Sequence, residues 1–424
     1  MIIPRYQDYE SAKHKTAPLV FIGIQIIAES IIITGDNNMD KIYMDNASTT
    51  FPKPERVAHG VYEYMTGSGM NINRGCYDNA YAVEELVLET RELLCELFEG
   101  PDCRNVVFTK NVTESLNILL KGFLKPGDHV LVSSMEHNAV MRPLVQLGRR
   151  CSFSRIPCDA QGNLCLEEME RLLCPNTRAV VMMHASNVCG TVMPIKEVGD
   201  FCQKHGLKFI VDCAQTAGVI PVHMKEMHMD ALAFTGHKGL LGPQGIGGFI
   251  ITDEMVKKIE PLICGGTGSI SHTEEIPEFM PDRFEPGTMN LPGIIGLREG
   301  LLWLKETGMD AVKTHELELT GLFLEGLKPL EEQGLIRILG RRDCRNRTGV
   351  VSIQTLNKEL SQAAYELDAD HGIMTRVGLH CAPSAHKTLG TYPVGTIRFS
   401  FGWWNTEEQV QRALNALEEI CHGI

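Results

Sequence analysis

With 424 residues, 43 % of them hydrophobic and 22 % charged, the chain has ample apolar mass for a globular fold and is longer than one core sustains, so two domains are expected. Its net charge of -13 is the wrong sign for a partner built on a phosphate backbone, and points away from nucleic acid towards a small-molecule substrate. Fourteen cysteines are scattered without a C-x-x-C pair, which argues against a disulfide framework, a zinc site or an iron-sulfur site, and for a reduced, cytoplasmic protein.

Residues 1–38 differ from the remainder. Leu19 to Ile33 is apolar behind Lys13 and Lys15, in the manner of a secretory segment, but Gln25 and Glu29 interrupt it and it is short for a bilayer. It is expected to be an N-terminal extension that does no chemistry. Asp45 to Thr50 is turn-rich, Pro52 and Pro54 follow, and Glu55 to Met65 can form a helix; residues 39–60 are expected to pack with a smaller C-terminal domain. Gly67 to Gly75, with Asn71, Asn73 and Arg74, reads as a loop before an amphipathic helix from about Asn79 to Phe98.

Val106 to Thr109 reads as a strand and Val112 to Leu124 as a helix whose start, Asn111-Val112-Thr113-Glu114, offers free N–H groups to a phosphate or is simply N-capped. The strand His129 to Ser133 delivers Glu136-His137-Asn138, and Arg178 to His184 runs into Ala185-Ser186-Asn187. Strand ends of an open parallel sheet face its ligand crevice. Cys151, Cys158 and Cys165 recur every seven residues, but Pro157 and Gly162 break any helix that would align them.

The densest stretch is Lys208 to Ile251. Phe209-Ile210-Val211 stops at Asp212, with Gln215 just beyond; Ala231 to Phe234 ends in Thr235-Gly236-His237-Lys238-Gly239; Gly248 to Ile251 is a third apolar run. Three strand ends converge on one lysine. A lysine to form a Schiff base and an aspartate to keep a ring nitrogen protonated are the pair that pyridoxal 5'-phosphate (PLP) requires. The later GPQGIGG run precedes a strand instead of following one, so it is no dinucleotide loop.

Helices are expected from Pro292 to about Lys305, Ala311 to Leu330, Leu360 to Leu367 and Glu407 to Ile420, and strands at Val350 to Ile353 and Gly395 to Phe401. Alternating strands and helices argue an α/β fold with a mostly parallel central sheet, in a large domain of residues 61–305, followed by a smaller α+β C-terminal domain, residues 306–424. Arg376-Val377-Gly378-Leu379-His380-Cys381-Ala382-Pro383 sets Cys381 in a glycine and proline loop, with Arg376 and His380 near enough to favour a thiolate.

From about Lys41 to the C-terminus these motifs, in this order, resemble the class V aminotransferase family, and within it the cysteine desulfurase and selenocysteine lyase group. The resemblance implies the PLP-dependent transferase fold (fold type I), with Lys238 carrying the cofactor and Val112, Thr113, His137, Asn187, Asp212, Gln215, Thr235 and His237 around it. It implies that Thr288, in Arg283-Phe284-Glu285-Pro286-Gly287-Thr288, reaches the neighbouring subunit of a homodimer. Arg398, Arg376, Arg74 and Asn187 would hold the substrate, and Lys238, His137 and Cys381 would be catalytic. Asn73 stands where many desulfurases carry a histidine.

The activity so implied is conversion of L-cysteine to L-alanine with a persulfide on Cys381, the sulfur passing to a thiol acceptor protein. Selenocysteine lyase and transaminase chemistry keep the same cofactor and remain open, as does a sulfur-relay partner active only when docked. No membrane partner is expected, and a metal site on His380, Cys381 and His386 lacks a fourth ligand at a standard spacing.

Overall fold

A computed structural model describes residues 41–72 and 77–423; the expectations placed on residues 1–38, Asn73 and Arg74 lie outside them. The described strands are β1 (Ile42–Tyr43), β2 (Val106–Thr109), β3 (His129–Ser133), β4 (Ser152–Ile156), β5 (Thr177–Met183), β6 (Lys208–Asp212), β7 (Ala231–Thr235), β8 (Gly247–Ile251), β9 (Ile336–Leu339), β10 (Val350–Thr355), β11 (Ile373–Met374), β12 (Arg376–Gly378) and β13 (Thr396–Ser400).

β2 to β8 form a seven-stranded sheet in the order β2-β8-β7-β6-β5-β3-β4. The run from β7 through β4 is parallel, while β8 is antiparallel to both β2 and β7. Strands such as Ala231–Thr235 and Gly247–Ile251 are buried along their whole length, because helices cover both faces of the sheet. One face packs against a cluster with Val87, Leu94 and Phe98, the other against one with Leu116, Leu119 and Leu144. β4 escapes a reading from sequence because its Ser-Phe-Ser-Arg-Ile run lies on the sheet edge, largely uncovered. The helix Asn138–Leu147 has Pro143 in its sixth position, where a helix start would not be looked for.

A second sheet, β12-β13-β10-β9, is antiparallel throughout. The helices Met309–Glu332, Leu360–Ala369 and Glu407–His422 close its core around Phe323, Phe399 and Leu417. Ile42 and Met44 belong to this same core, and β1 pairs in parallel with β11, so the segment before Asp45 is stitched to the C-terminal part of the chain. The first expected helix ends at Glu63 and continues as a π-helical turn, Tyr64–Ser68, where Gly67 weakens the helical preference. Among the described residues no helix is long and apolar enough to cross a membrane.

Candidate active site

The carboxyl ends of β3, β5, β6 and β7 and the first turn of the helix Val112–Phe123 surround one cavity, whose lining includes Val112, His137, Asn187, Asp212, Gln215 and Lys238. Lys238 lies in the turn after β7. That turn packs so closely on the one after β6 that a Cβ on Gly239 would stand 2.5 Å from the Ala217 carbonyl oxygen, and one on Gly218 (φ +82°) 2.3 Å from that of Gly239. Only glycine permits this approach, which is why glycine follows the lysine.

The Lys238 amine makes no hydrogen bond or ion pair among the described residues. Burial, with Arg398 and Arg376 adding to it against the pull of Asp212 and Asp45, brings its pKa down to about 8. Asp212 is buried, accepts the Ala214 N–H at 2.9 Å, and has its carboxyl pushed upward by that burial. His137 accepts the Ala139 N–H on Nδ1 at 3.0 Å, and burial lowers its pKa to about 4, so its ring is neutral and carries its proton on Nε2.

Several polar atoms here are buried without a partner among the described residues: Asn187 Oδ1, Thr235 Oγ1, His237 Nδ1 and Arg398 Nε. Unpaired buried polar atoms are uncommon, and this group gathers where sequence placed a bound molecule. At the mouth of the neighbouring helix Asn111 Oδ1 caps the Glu114 N–H at 3.0 Å, so the N-cap reading of that turn is realised. Val112 joins the cavity, whereas Thr113 is exposed beside it. Thr288 is exposed and lies in clefts with Glu285, Gly287 and Met289, outside the Lys238 cavity.

Arg398 and Arg376 are brought together by residues the sequence did not single out. Arg398 Nη2 donates to Asp45 Oδ1 at 2.6 Å and to Ser48 Oγ at 2.8 Å, its Nη1 to the Asn187 carbonyl at 3.0 Å, and Arg376 Nη1 reaches the same Ser48 Oγ at 2.9 Å. Ser48 in turn donates to Asp45. Lys53 is a further omission: its Nζ, the Thr49 hydroxyl and the Thr50 N–H all donate to the His237 carbonyl, at 2.6, 3.0 and 3.1 Å. Its place between Pro52 and Pro54, just after the turn-rich segment, was the available signal.

Cys381 is exposed, with Arg376 Nη2 3.7 Å from its sulfur. Its loop is fixed at three points: Asn138 N–H donates to the Cys381 carbonyl at 2.9 Å, Asn187 Nδ2 to the His380 carbonyl at 2.7 Å, and His380 Nε2 meets Thr396 Oγ1 at 2.8 Å. These bonds hold His380 and Cys381 in the left-handed region, at φ +47° and +58°, which side chains occupy only when the surroundings impose it. The expectation that His380 helps to charge the thiol is corrected here. Its ring is turned inward and buried, and burial, with Arg398 nearby, drives its pKa far down, so it is neutral, and among the described residues Arg376 is the one that brings positive charge to the sulfur.

Residues 42–413 match the family model for class-V aminotransferases. The chain is 34 % identical over 393 residues to a probable cysteine desulfurase of Pyrococcus abyssi, covering 90 % of this chain and 95 % of the relative. It is 29 % identical over 392 residues to the cysteine desulfurase of Haloferax volcanii, covering 90 % of each. Among solved structures it is similar to the apo cysteine desulfurase of Thermococcus onnurineus, with a TM-score of 0.84, 33 % identity, and 91 % of this chain and 95 % of that one covered. The cysteine desulfurase CsdA of Escherichia coli gives a TM-score of 0.79 and 26 % identity, with 91 % and 95 % covered.

Proposed function

The chain belongs to the class-V aminotransferase family, whose members depend on PLP, and from that premise we propose that it is a cysteine desulfurase in which Cys381 takes sulfur from L-cysteine. The residues present fit the cofactor: a free buried amine at Lys238, a carboxylate at Asp212, and unpaired polar atoms on Asn187, Thr235 and His237. Lys238 would hold it covalently, Asp212 would pair with its ring nitrogen, His137 would lie against the ring, and Val112, Thr113, Thr235 and His237 would bind its phosphate. When bound, the cofactor supplies an electron sink for the bonds at the substrate's Cα.

The chain's own groups do the rest. Arg398 and Arg376, aligned by Ser48, receive the substrate carboxylate as paired guanidinium donors. Lys238, with an amine whose pKa lies near working pH, removes and returns the proton at Cα. Cys381 Sγ forms a bond to the substrate sulfur as the carbon–sulfur bond breaks; the carbon keeps the electron pair and takes a proton, giving the methyl group of alanine. The persulfide left on Cys381 then passes its outer sulfur to a thiol acceptor. Thr288, exposed and outside its own Lys238 cavity, is assigned to the phosphate of a second subunit.

The observation that carries this reading is the exposed Cys381 sulfur beside Arg376, on a loop tied through Asn187 to the Lys238 cavity. In PLP-loaded protein Cys381→Ser is expected to abolish sulfide release from L-cysteine while retaining the visible absorbance of the cofactor. Sulfide release at the unaltered rate would overturn the assignment.

A further inference from the structure

A second crevice reaches Lys238 and Gln215 between the Asn46 to Thr50 segment, the end of β13 and the helix Met309–Glu332. Its lining is mixed, with Asn46, Thr348 and Ser400 beside Val219 and Phe401, and the ionisable groups on it are Lys238 and Glu316. Among the described residues the Glu316 carboxylate makes no hydrogen bond and no ion pair. Its Oε2 lies 3.4 Å from where a Cβ on Gly349 would stand.

The other charges around it are committed elsewhere. Asp45 is bound to Arg398, Lys53 to the His237 carbonyl, and His315 on the same helix to the Asn405 carbonyl. Arg347, next to Thr348, donates to the Arg341 and Val350 carbonyls. Glu316 is partly exposed where the crevice opens, yet the walls around it push its carboxyl up to about 8, close to the value for Lys238.

The chemistry of this site requires a proton to move. A free amino acid arrives as an ammonium and would have to shed a proton before its amine could take the place of Lys238 on a bound cofactor. Lys238, once free, would hold that surplus proton and would have to lose it before acting as a base at Cα. Resting on the desulfurase reading, we propose that Glu316 is the proton relay of Lys238, reached through water held in this crevice. The proton passes from the substrate ammonium to Lys238 Nζ, through water to Glu316 Oε2, and returns by the same path when alanine leaves as an ammonium. The relay itself makes and breaks only N–H and O–H bonds, and no other reactant is needed. Asn46, Thr348 and Ser400, with Lys238 and Glu316, offer the two to four polar partners that a bridging water needs.

The test uses full-length, PLP-loaded protein and L-alanine, which has no sulfur to give. Mixing is followed by the visible absorbance of the cofactor, and deuterium incorporation at Cα in D2O is followed by NMR. Glu316→Gln is expected to lower incorporation by about tenfold or more, with imidazole or formate buffer restoring it. Gly349→Ala, which narrows the crevice without removing a charge, is expected to slow it in the same direction and serves as the test should the first variant lose its cofactor. Unaltered incorporation, or a loss that no buffer restores, overturns the relay. Wild-type protein whose absorbance does not respond to L-alanine would instead defeat the underlying functional reading.

Discussion

Glu136, the residue before His137, is fully buried and accepts the Ser133 hydroxyl and the Met183 N–H, at 3.0 Å for the latter. It therefore ties the β3 end to the β5 end directly beneath the cavity. Burial raises its pKa from 4.5 to about 8, with Asp212 adding to the effect. The folded chain thus binds more protons than the unfolded chain between those values, so this group's contribution is full below pH about 4.5 and is lost as pH rises through 8. Glu136→Gln is expected to cost about 1–2 kcal/mol at pH 5, where a neutral acid is replaced by an imperfect match, and less as pH rises to 8.5. Urea midpoints of both proteins at the two pH values check this; a gap that widens with pH would contradict it. The sequence places a carboxylate at this strand end but does not tell whether it faces the ligand or the interior, because that depends on which backbone N–H groups β5 leaves within reach.

At the scale of elements, the parallel strands were legible because burial on both faces writes them as continuous apolar runs, Phe209 to Val211 and Ala231 to Phe234 among them. The strand ends carried their chemistry with them, so Asp212 and Lys238 could be read as one group, which His137 and Asn187 joined through the family resemblance. Contacts made by the Asp45 to Thr50 segment could not, since Lys53 meets His237 and Ser48 meets Arg376 across separations of 184 and 328 residues. The inward turn of His380 was misread for the same reason: its partner Thr396 arrives on a different strand, β13. Lys53, whose amine is lowered to about 8 by burial, donates to the His237 carbonyl and so holds the turn that presents Lys238. Lys53→Met is expected to weaken PLP binding by about tenfold while leaving the fold intact, since a hydrogen bond from a charged donor is worth roughly 1.5–3 kcal/mol. Absorbance titration of the cofactor-free protein measures this, and an unaltered dissociation constant would remove Lys53 from the site.

For the molecule as a whole, Lys238, Arg376, Arg398 and Cys381 are all supplied by one chain, but Thr288 is exposed, as are Leu262, Ile263, Ile276 and Phe279 elsewhere on the surface. If Thr288 serves a neighbour, Thr288→Arg and Lys238→Ala should each be inactive as homodimers, and co-refolded mixtures should regain activity in the hybrid that keeps one intact site. Mixtures no more active than their parents would return Thr288 to a role within its own subunit. The account as a whole depends on sulfur leaving L-cysteine for one particular side chain. The most direct measurement is to react PLP-loaded protein with L-cysteine, trap its thiols with an alkylating agent, and map the peptides by mass spectrometry while counting alanine. One additional sulfur on Cys381, matched by one alanine, is the predicted result; alanine formed with the extra sulfur on another cysteine, or on none, would contradict it.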